Sequence, residues 1–253
     1  MGTYIVTGGA SGIGAAIKAQ LVSEGHSVLV VDILDADIVA NLATSEGRGI
    51  AIDAIRKHCT DGLAGLVTCA GLGASTTDQA LISAVNYFGT INLIEGLHDL
   101  LMANGAAVLL ISSNSASMAT KEEYVQTLLG GDETAAGAIA QTIDAQMVYA
   151  GTKQALTLWM KRNAPVYATQ GIRINALAPG LVKTPLSDAI QNDPVYGEAV
   201  RLFADSIPIG RQGQPKDIAA AASFLLSEKA SFICGSVLYI DGGHDALFRP
   251  EQI

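Results

Sequence analysis

Tyr4-Ile5-Val6-Thr7-Gly8-Gly9-Ala10-Ser11-Gly12-Ile13-Gly14 is the stretch that decides the fold. Tyr4 to Val6 reads as a short apolar strand, and Thr7 to Gly14 as a glycine-rich turn. Ala15 to Glu24 then reads as a helix, closed by Gly25. Strand, turn and helix in one run make a cradle for a pyrophosphate. Gly8 and Gly12 carry no Cβ, so backbone or ligand can approach them closely. Gly14 lets the helix pack on the strand. The helix N-terminus, with Ser11 and Ile13 in its turn, offers free N–H groups and the positive end of a dipole. The competing reading is a glycine turn that serves packing alone. An acid further along the chain favours the dinucleotide.

That acid is Asp32, which closes a second predicted strand, Ser27 to Val31. It lies eighteen residues beyond Gly14, close to the roughly 20 expected for a ribose-binding carboxylate. A carboxylate there accepts from both ribose hydroxyls and repels a 2′-phosphate. No Lys or Arg stands within several residues of Asp32, so NAD is expected rather than NADP. The alternative is an acid that merely ends a strand.

The composition suits a parallel sheet covered on both faces. Of 253 residues, 15% are charged and 5% aromatic. A net charge of −9 argues against nucleic acid as a partner. No stretch has the length and apolarity of a membrane helix. Cys59, Cys69 and Cys234 are widely spaced and form neither a metal pattern nor a disulfide framework, so no metal is expected. The N-terminus runs straight into a strand, so no signal or transit peptide is expected, and the expected compartment is a reducing cytoplasm. No repeat or composition shift divides the chain, which reads as one domain over 1–253.

Further along, Ile38 to Ala40 reads as a short third strand and Ser45 to His58 as a helix with Ser45 as N-cap. Leu63 to Thr68 is a fourth strand. It ends in Cys69-Ala70-Gly71-Leu72-Gly73, small residues that leave room for a ligand at a strand's carboxyl end. Thr77 to Leu101 reads as one helix, with Asn86, a mediocre helix former, inside it. Ala106 to Ile111 is a buried strand running into Ser112-Ser113-Asn114-Ser115. In the segment from Met118 to Met147, helices are expected over Lys121–Leu129 and, capped by Asp132, through Ile143. Tyr149 opens a long helix to Thr169, Ile172 to Leu177 is a strand closed by Ala178-Pro179-Gly180, and Leu181 to Pro208 reads as a mobile loop. Lys216 to Leu226 is a helix and Ser236 to Ile240 the last strand. Strands alternating with helices predict an α/β Rossmann-type doubly wound parallel sheet, with an inserted mainly helical segment at about 118–147.

Tyr149 and Lys153 stand four apart and share one helix face; alone, such a pair is usually a surface pair. A phenol titrates near pH ~10, and a neighbouring ammonium favours the phenolate and lowers that value.

Thr7-Gly8-x-x-x-Gly12-Ile13-Gly14, Asn86, Ser113, Tyr149-x-x-x-Lys153, Pro179-Gly180 and Asp241-Gly242-Gly243 together resemble the short-chain dehydrogenase/reductase family. They follow the family's order over nearly the whole chain. The resemblance implies hydride transfer between NAD and a secondary alcohol or ketone, with Asn86, Ser113, Tyr149 and Lys153 as the catalytic set. Tyr149 would move the substrate proton, Ser113 would bind the substrate oxygen, and Lys153 would hold the nicotinamide ribose. Asn86 would anchor a water behind the lysine. The resemblance also assigns Gly8, Gly12 and Gly14 to the phosphates, Asp32 and Ile33 to the adenosine ribose, and Asn41 and Leu42 to the adenine. Ala70 and Gly71 would meet ribose, and Pro179, Gly180, Val182 and Thr184 the nicotinamide.

Three features depart from the family's pattern. Asn41 stands where the family usually has Asp. Thr68-Cys69-Ala70-Gly71 lacks a side-chain amide that normally ties neighbouring strands. A span of 36 residues separates Ser113 from Tyr149, far more than the family usually needs. That last feature, with Cys69 to Gly73, Val85 to Gly89 and the tail from Ile240 to Ala246, is most similar to the bacterial 3α-hydroxysteroid dehydrogenase/carbonyl reductase type. A reactive thiol at Cys69 would need an exposed, electropositive site, which a buried strand end does not offer.

Substrate is expected between the insertion, at Met118, and the 181–208 loop. There Leu186, Ile190, Val195, Tyr196, Val200 and Phe203 offer an apolar wall, unless that stripe only packs the loop on the core. With Ser113 and Tyr149 at the reacting oxygen, the wall suits a small apolar ketone or secondary alcohol. Hydroxysteroids come first and small cyclic or aryl ketones second; a non-catalytic dinucleotide sensor is the remote alternative. The insertion lies beside the face through which family members usually pair, so a homodimer is expected rather than a tetramer.

Overall fold

A computed structural model describes residues 2–251 except Asp193 and Val195. Its sheet has seven parallel strands among the described residues, in the order β3-β2-β1-β4-β5-β6-β7. They are β1 (Thr3–Thr7), β2 (Ser27–Asp32), β3 (Ile38–Val39), β4 (Gly65–Thr68), β5 (Ala107–Ile111), β6 (Arg173–Pro179) and β7 (Val237–Ile240). Every residue of β4 and β5 is buried. That is why these strands are continuous apolar runs rather than alternating ones. The chain leaves β1 outward to β2 and β3, then returns to place β4 on the other side of β1. This reversal opens a crevice at the carboxyl ends of β1 and β4.

Helices cover both faces. On one face, α1 (Gly12–Ser23) packs against α11 (Pro215–Leu226), with Ile17, Leu21, Ile218 and Ala222 over Val6, Val67 and Leu109. The first helical residue of α1 is Gly12, so the helix begins inside the glycine turn rather than at Ala15. The other face carries α2 (Ser45–His58) and α8 (Ala145–Thr169) over Leu66, Val108 and Leu110. Thr44 caps α2, accepting from Gly47 N at 3.0 Å, so the cap is one residue earlier than Ser45.

The single helix expected over 77–101 is four pieces. These are α3 (Gln79–Ser83), a π turn over Ala84–Phe88, α4 (Gly89–Gly96) and α5 (His98–Ala103). The wide turn is centred on Asn86, whose side chain is bonded to tertiary partners, and π bulges often mark functional positions.

The insertion is helical, with α6 (Glu122–Leu129) and α7 (Glu133–Ala140). Asp132 caps α7, accepting from Ala135 N at 2.9 Å, but the helix stops at Ala140 rather than Ile143. Rather than hanging off the sheet, the insertion joins the core. α6 packs on α8, and α7 on α3. The fully buried Tyr124 hydrogen-bonds Ser83 Oγ through its hydroxyl at 2.7 Å. A Cβ on Gly151 would lie 2.7 Å from the Tyr124 ring, so the glycine lets α6 and α8 close together. Arg48, buried, pairs with Glu133 and ties α7 to α2.

α8 starts at Ala145, one turn before the expected Tyr149. Asp144 caps it, accepting from Gln146 N at 2.8 Å and Met147 N at 3.4 Å. The 181–208 segment, read from sequence as a loop, contains α9 (Pro185–Gln191) and α10 (Gly197–Asp205). Thr184 and Ser187 form a reciprocal capping box ahead of α9, the arrangement that fixes a helix start. α12 (His244–Phe248) closes the fold. Among the described residues no helix is long and apolar enough to cross a membrane.

Gly151→Ala should lower stability by about 1–3 kcal/mol through overpacking against a ring that cannot move. Urea unfolding measures this; an unchanged midpoint would contradict the close α6–α8 contact.

Candidate active site

The glycine turn is shaped by contacts that exclude side chains. Gly8 and Gly12 have φ of +66° and +54°, a region that disfavours L side chains. A Cβ on Gly8 would sit 2.7 Å from Ala70 Cα and N, and one on Gly14 would strike the Gly8 carbonyl. Thr7 Oγ1 accepts from Cys69 N and Ala70 N, each at 3.1 Å. These bonds tie β1 to β4 where the sequence lacks the family's side-chain amide. Thr68, where the family's strand-end amides begin, keeps a buried hydroxyl with no hydrogen-bond partner.

Asp32 Oδ2 accepts from Ala10 N at 3.0 Å and Oδ1 from Ile33 N at 2.7 Å. The acid therefore braces the turn and still has lone pairs to spare for ribose hydroxyls. Asn41 Oδ1 accepts from Ala43 N at 3.0 Å, which orients the side chain and leaves a second lone pair on that oxygen.

These groups open on one cavity of about 560 Å³. Its wall includes Ser11, Gly12, Ile13 and Gly14 at the turn, and Asp32, Ile33, Asn41 and Leu42 at the β2 side. Ala70 and Gly71 follow from β4, and Pro179, Gly180, Val182 and Thr184 from the end of β6. Ser113, Tyr149 and Lys153 stand on the same wall, as do Met118, Leu186, Ile190, Tyr196, Val200 and Phe203. Val195 falls outside the described residues. Asn86 is the exception among the expected site residues, because it lies behind the wall.

Asn86 is 1% exposed. Its Oδ1 accepts from Leu72 N at 2.7 Å, and its Nδ2 donates to Leu72 O at 3.0 Å and Thr152 Oγ1 at 3.3 Å. The π turn thus brings an amide to clamp the strand-end loop beside Lys153. A Cβ on Gly71 would lie 3.3 Å from Asn86 Oδ1 and 3.7 Å from Lys153 Nζ, so that glycine keeps the space between them open. Thr152, Asp144 and Gln146 were not singled out by sequence reasoning. Asp144 ahead of an apolar run is a visible N-cap signal, and Gln146 shares a helix face with Tyr149.

Ser113 Oγ accepts from Ser115 N at 3.1 Å, which fixes its rotamer at the carboxyl end of β5. Lys153, 5% exposed, donates from Nζ to the Ile111 carbonyl at 2.9 Å. Its Nζ lies 5.7 Å from the centroid of the Tyr149 ring. Burial pushes the Lys153 ammonium down to about 8. Burial also raises the Tyr149 phenol above its ordinary value, while the hydrogen bond from Ser113 pulls it back. The ammonium was expected to lower the phenol's pKa, but in the protein alone loss of water is the largest cause and the phenol is raised. Burial pushes the Cys69 thiol up to about 12, which leaves no reactive thiolate there.

The 181–208 segment, which forms a lid on the cavity through Leu186, Ile190, Tyr196, Val200 and Phe203, is anchored at two points. Tyr196 donates from its hydroxyl to Asp144 Oδ2 at 3.3 Å. Fully buried His244 bonds Ser206 Oγ through Nε2 at 2.9 Å and packs on the Phe203 ring at 4.1 Å between centroids. A backbone turn that admits no Cβ at Gly8 or Gly14, a carboxylate at the end of β2 and no cation beside it fit NAD(H). Among the described residues Lys153 is the one cation on the wall.

A family model described as enoyl-(acyl carrier protein) reductase matches residues 134–245. The 3-alpha-hydroxysteroid dehydrogenase/carbonyl reductase of Comamonas testosteroni is 39% identical, with 100% of both chains covered. The chain belongs to the short-chain dehydrogenase/reductase family. It is accordingly an oxidoreductase acting on CH–OH and C=O groups. The crystal structure of the 3-alpha-hydroxysteroid dehydrogenase of Pseudomonas sp. B-0831, complexed with NADH, superposes at a TM-score of 0.96. Its sequence is 42% identical, and the match covers 99% of this chain and 100% of that one. The cyclohexanol dehydrogenase of Acinetobacter sp. strain SE19 is 32% identical, with 95% of this chain and 93% of the relative covered.

Two outcomes follow for the site. Asp32→Ala should raise the NAD KM and shift the NAD/NADP preference toward NADP by about tenfold or more, the worth of a charge-assisted hydrogen bond. An unchanged ratio would mean that another residue reads the ribose. Lys153 has a folded pKa of about 8 against an unfolded value near ~10.4. Between these values the unfolded chain holds more protons, so stability rises with pH; below about 8 the cost is full. Lys153→Met should therefore raise the melting temperature of the cofactor-free protein at neutral pH, by at most about 3 kcal/mol of stability. The gain should fade toward pH ~10.4, and a gain independent of pH would contradict the assigned cost.

Proposed function

We propose that this protein interconverts secondary alcohols and ketones on carbocyclic skeletons with NAD(H), with 3-hydroxysteroids as the first substrates to examine. The observation that carries this reading is the meeting of Ser113, Tyr149 and Lys153 on the wall that also holds the glycine turn and Asp32. The apolar lid residues and the relatives' activities support it. The cyclohexanol dehydrogenase relative favours a second reading, in which single-ring alcohols are the preferred substrates.

In this reading the nicotinamide gives or takes the hydride. Ser113 Oγ hydrogen-bonds the substrate oxygen and holds charge that develops there. Tyr149 gives its phenolic proton to that oxygen in reduction and takes it back in oxidation. Lys153 places its ammonium near the phenol and, with one donor spent on the Ile111 carbonyl, has further donors for the ribose. Asn86 acts by position, holding Leu72 and Thr152 so that the space beside Lys153 stays open. A sensor without chemistry would need none of these groups together.

The exposed apolar residues Phe232, Leu238, Leu247 and Phe248, at and around the open edge strand β7, suit a homodimer through the C-terminal face. The insertion covers part of the opposite helical face. Light scattering should give a dimer, and a tetramer would defeat this assignment. The cytoplasm is the compartment assigned, in keeping with three free thiols.

Tyr149→Phe should keep NADH binding, read by fluorescence titration, and lose about 100-fold or more in kcat, the range for a removed acid–base group. Substantial remaining turnover would rule out the assigned proton transfer. Because burial raises the phenol above its ordinary value, oxidation should speed up as pH rises above neutrality, while reduction should hold level until the phenol ionises beyond about pH 10.

A further inference from the structure

Gln146 lines the same cavity as Tyr149. It stands three residues earlier on α8, on the same helix face, and thus about 5 Å along the axis. Asp144, two residues before it, receives the Tyr196 hydroxyl from the lid. Gln146 is therefore bracketed by the reacting phenol on one side and the lid contact on the other. Its backbone N–H is spent on Asp144. Its half-buried side-chain amide makes no hydrogen bond among the described residues. Met118, Leu186 and Ile190, which share the wall, are apolar. The half-buried amide stands on this largely apolar wall with its polar atoms left for a ligand in the cavity.

We propose that Gln146 is a specificity residue that binds a second, neutral oxygen of the substrate. The class is an oxygenated cyclic alcohol, with a further hydroxyl or carbonyl on the reacting ring or on the ring fused to it. One helical turn matches the width of a six-membered ring, so an oxygen across the ring from the reacting carbon reaches the amide. The amide offers two donors and an acceptor, which suits either oxygen type. A carboxylate is disfavoured, because among the described residues no cation lines the cavity except Lys153. Asn114, the residue after Ser113, is another side-chain amide on the wall without a hydrogen bond among the described residues. It opens the short 3-10 turn Asn114–Ser117 that follows β5, and serves as the control. This proposal rests on the proton-transfer role given to Tyr149.

The test compares NADH formation from cyclohexanol and from cis- and trans-1,4-cyclohexanediol. The enzymes are the unaltered protein, Gln146→Leu, Gln146→Glu and Asn114→Ala. The unaltered protein should favour one diol over cyclohexanol by about tenfold or more in kcat/KM, the worth of one hydrogen bond to a buried polar group. Gln146→Leu should abolish that ratio through the diol KM. Gln146→Glu should keep it, because a carboxylate still accepts from a hydroxyl, whereas a merely structural role would not separate the two variants. Asn114→Ala should also keep it. Equal use of diol and cyclohexanol by the unaltered protein overturns the proposal. So does a Gln146→Leu enzyme that keeps the ratio, or an Asn114→Ala enzyme that alone loses it. Oxidation of neither a 3-hydroxysteroid nor any of these alcohols overturns the proposed function and this proposal with it, whereas turnover of the steroid alone, or of cyclohexanol without diol preference, overturns this proposal alone.

Discussion

Backbone contact between Gly8 and Ala70, with the Thr7 hydroxyl bridging Cys69 and Ala70, is the constraint on which the site depends. It lies where the strand order reverses between β1 and β4. Any side chain at residue 8 would push these strand ends apart. Closing them brings the turn's N–H groups, the β4 loop and the end of β5 to one crevice. β4 pairs in register with β5, Thr68 opposite Leu110, so Ser113 is placed by the same sheet that shapes the cradle. Asp32 adds to this by accepting from Ala10 N, so one carboxylate supports the turn and faces the expected ribose.

The second constraint is electrostatic. Lys153 is held almost out of water against the Ile111 carbonyl, two residues before Ser113. An ammonium in that place destabilises the fold in the range where it is charged. The surrounding apolar core offsets the cost, and the insertion enlarges that core through Tyr124, Val125 and Leu128. Stability is thereby given up locally at a place where chemistry needs a mobile charge. The phenol is affected in the same way, because the burial that makes it selective also holds it protonated in the protein alone.

Features local in the chain were legible in the sequence. The glycine turn, Asp32 at the end of β2 and the Tyr149–Lys153 spacing each carry their geometry in a short span. Features that depend on distant partners were not. Asn86 leaves the α-helix because its amide finds Leu72 and Thr152, and no propensity encodes those partners. The capping hydroxyl of α2 falls on Thr44 rather than Ser45 because the backbone there is extended at Thr44, a choice that two adjacent hydroxyl residues leave open. α9 was announced by Thr184 ahead of Pro185, but the apolar stripe around it was equally consistent with a loop. That the insertion docks rather than projects depends on Tyr124 meeting Gly151, a contact 27 residues apart in sequence. The direction of the Tyr149 shift followed from burial, which only the fold reveals.

Direct transfer of hydrogen between the substrate carbon and the cofactor is the central claim. Cyclohexanol or a 3-hydroxysteroid, deuterated at the carbinol carbon, can be oxidised with NAD and the NADH isolated for mass spectrometry. The account predicts that the isolated NADH carries the deuterium and that Tyr149→Phe slows its formation by about 100-fold or more. NADH free of deuterium, with the label released to solvent, would contradict hydride transfer at this site.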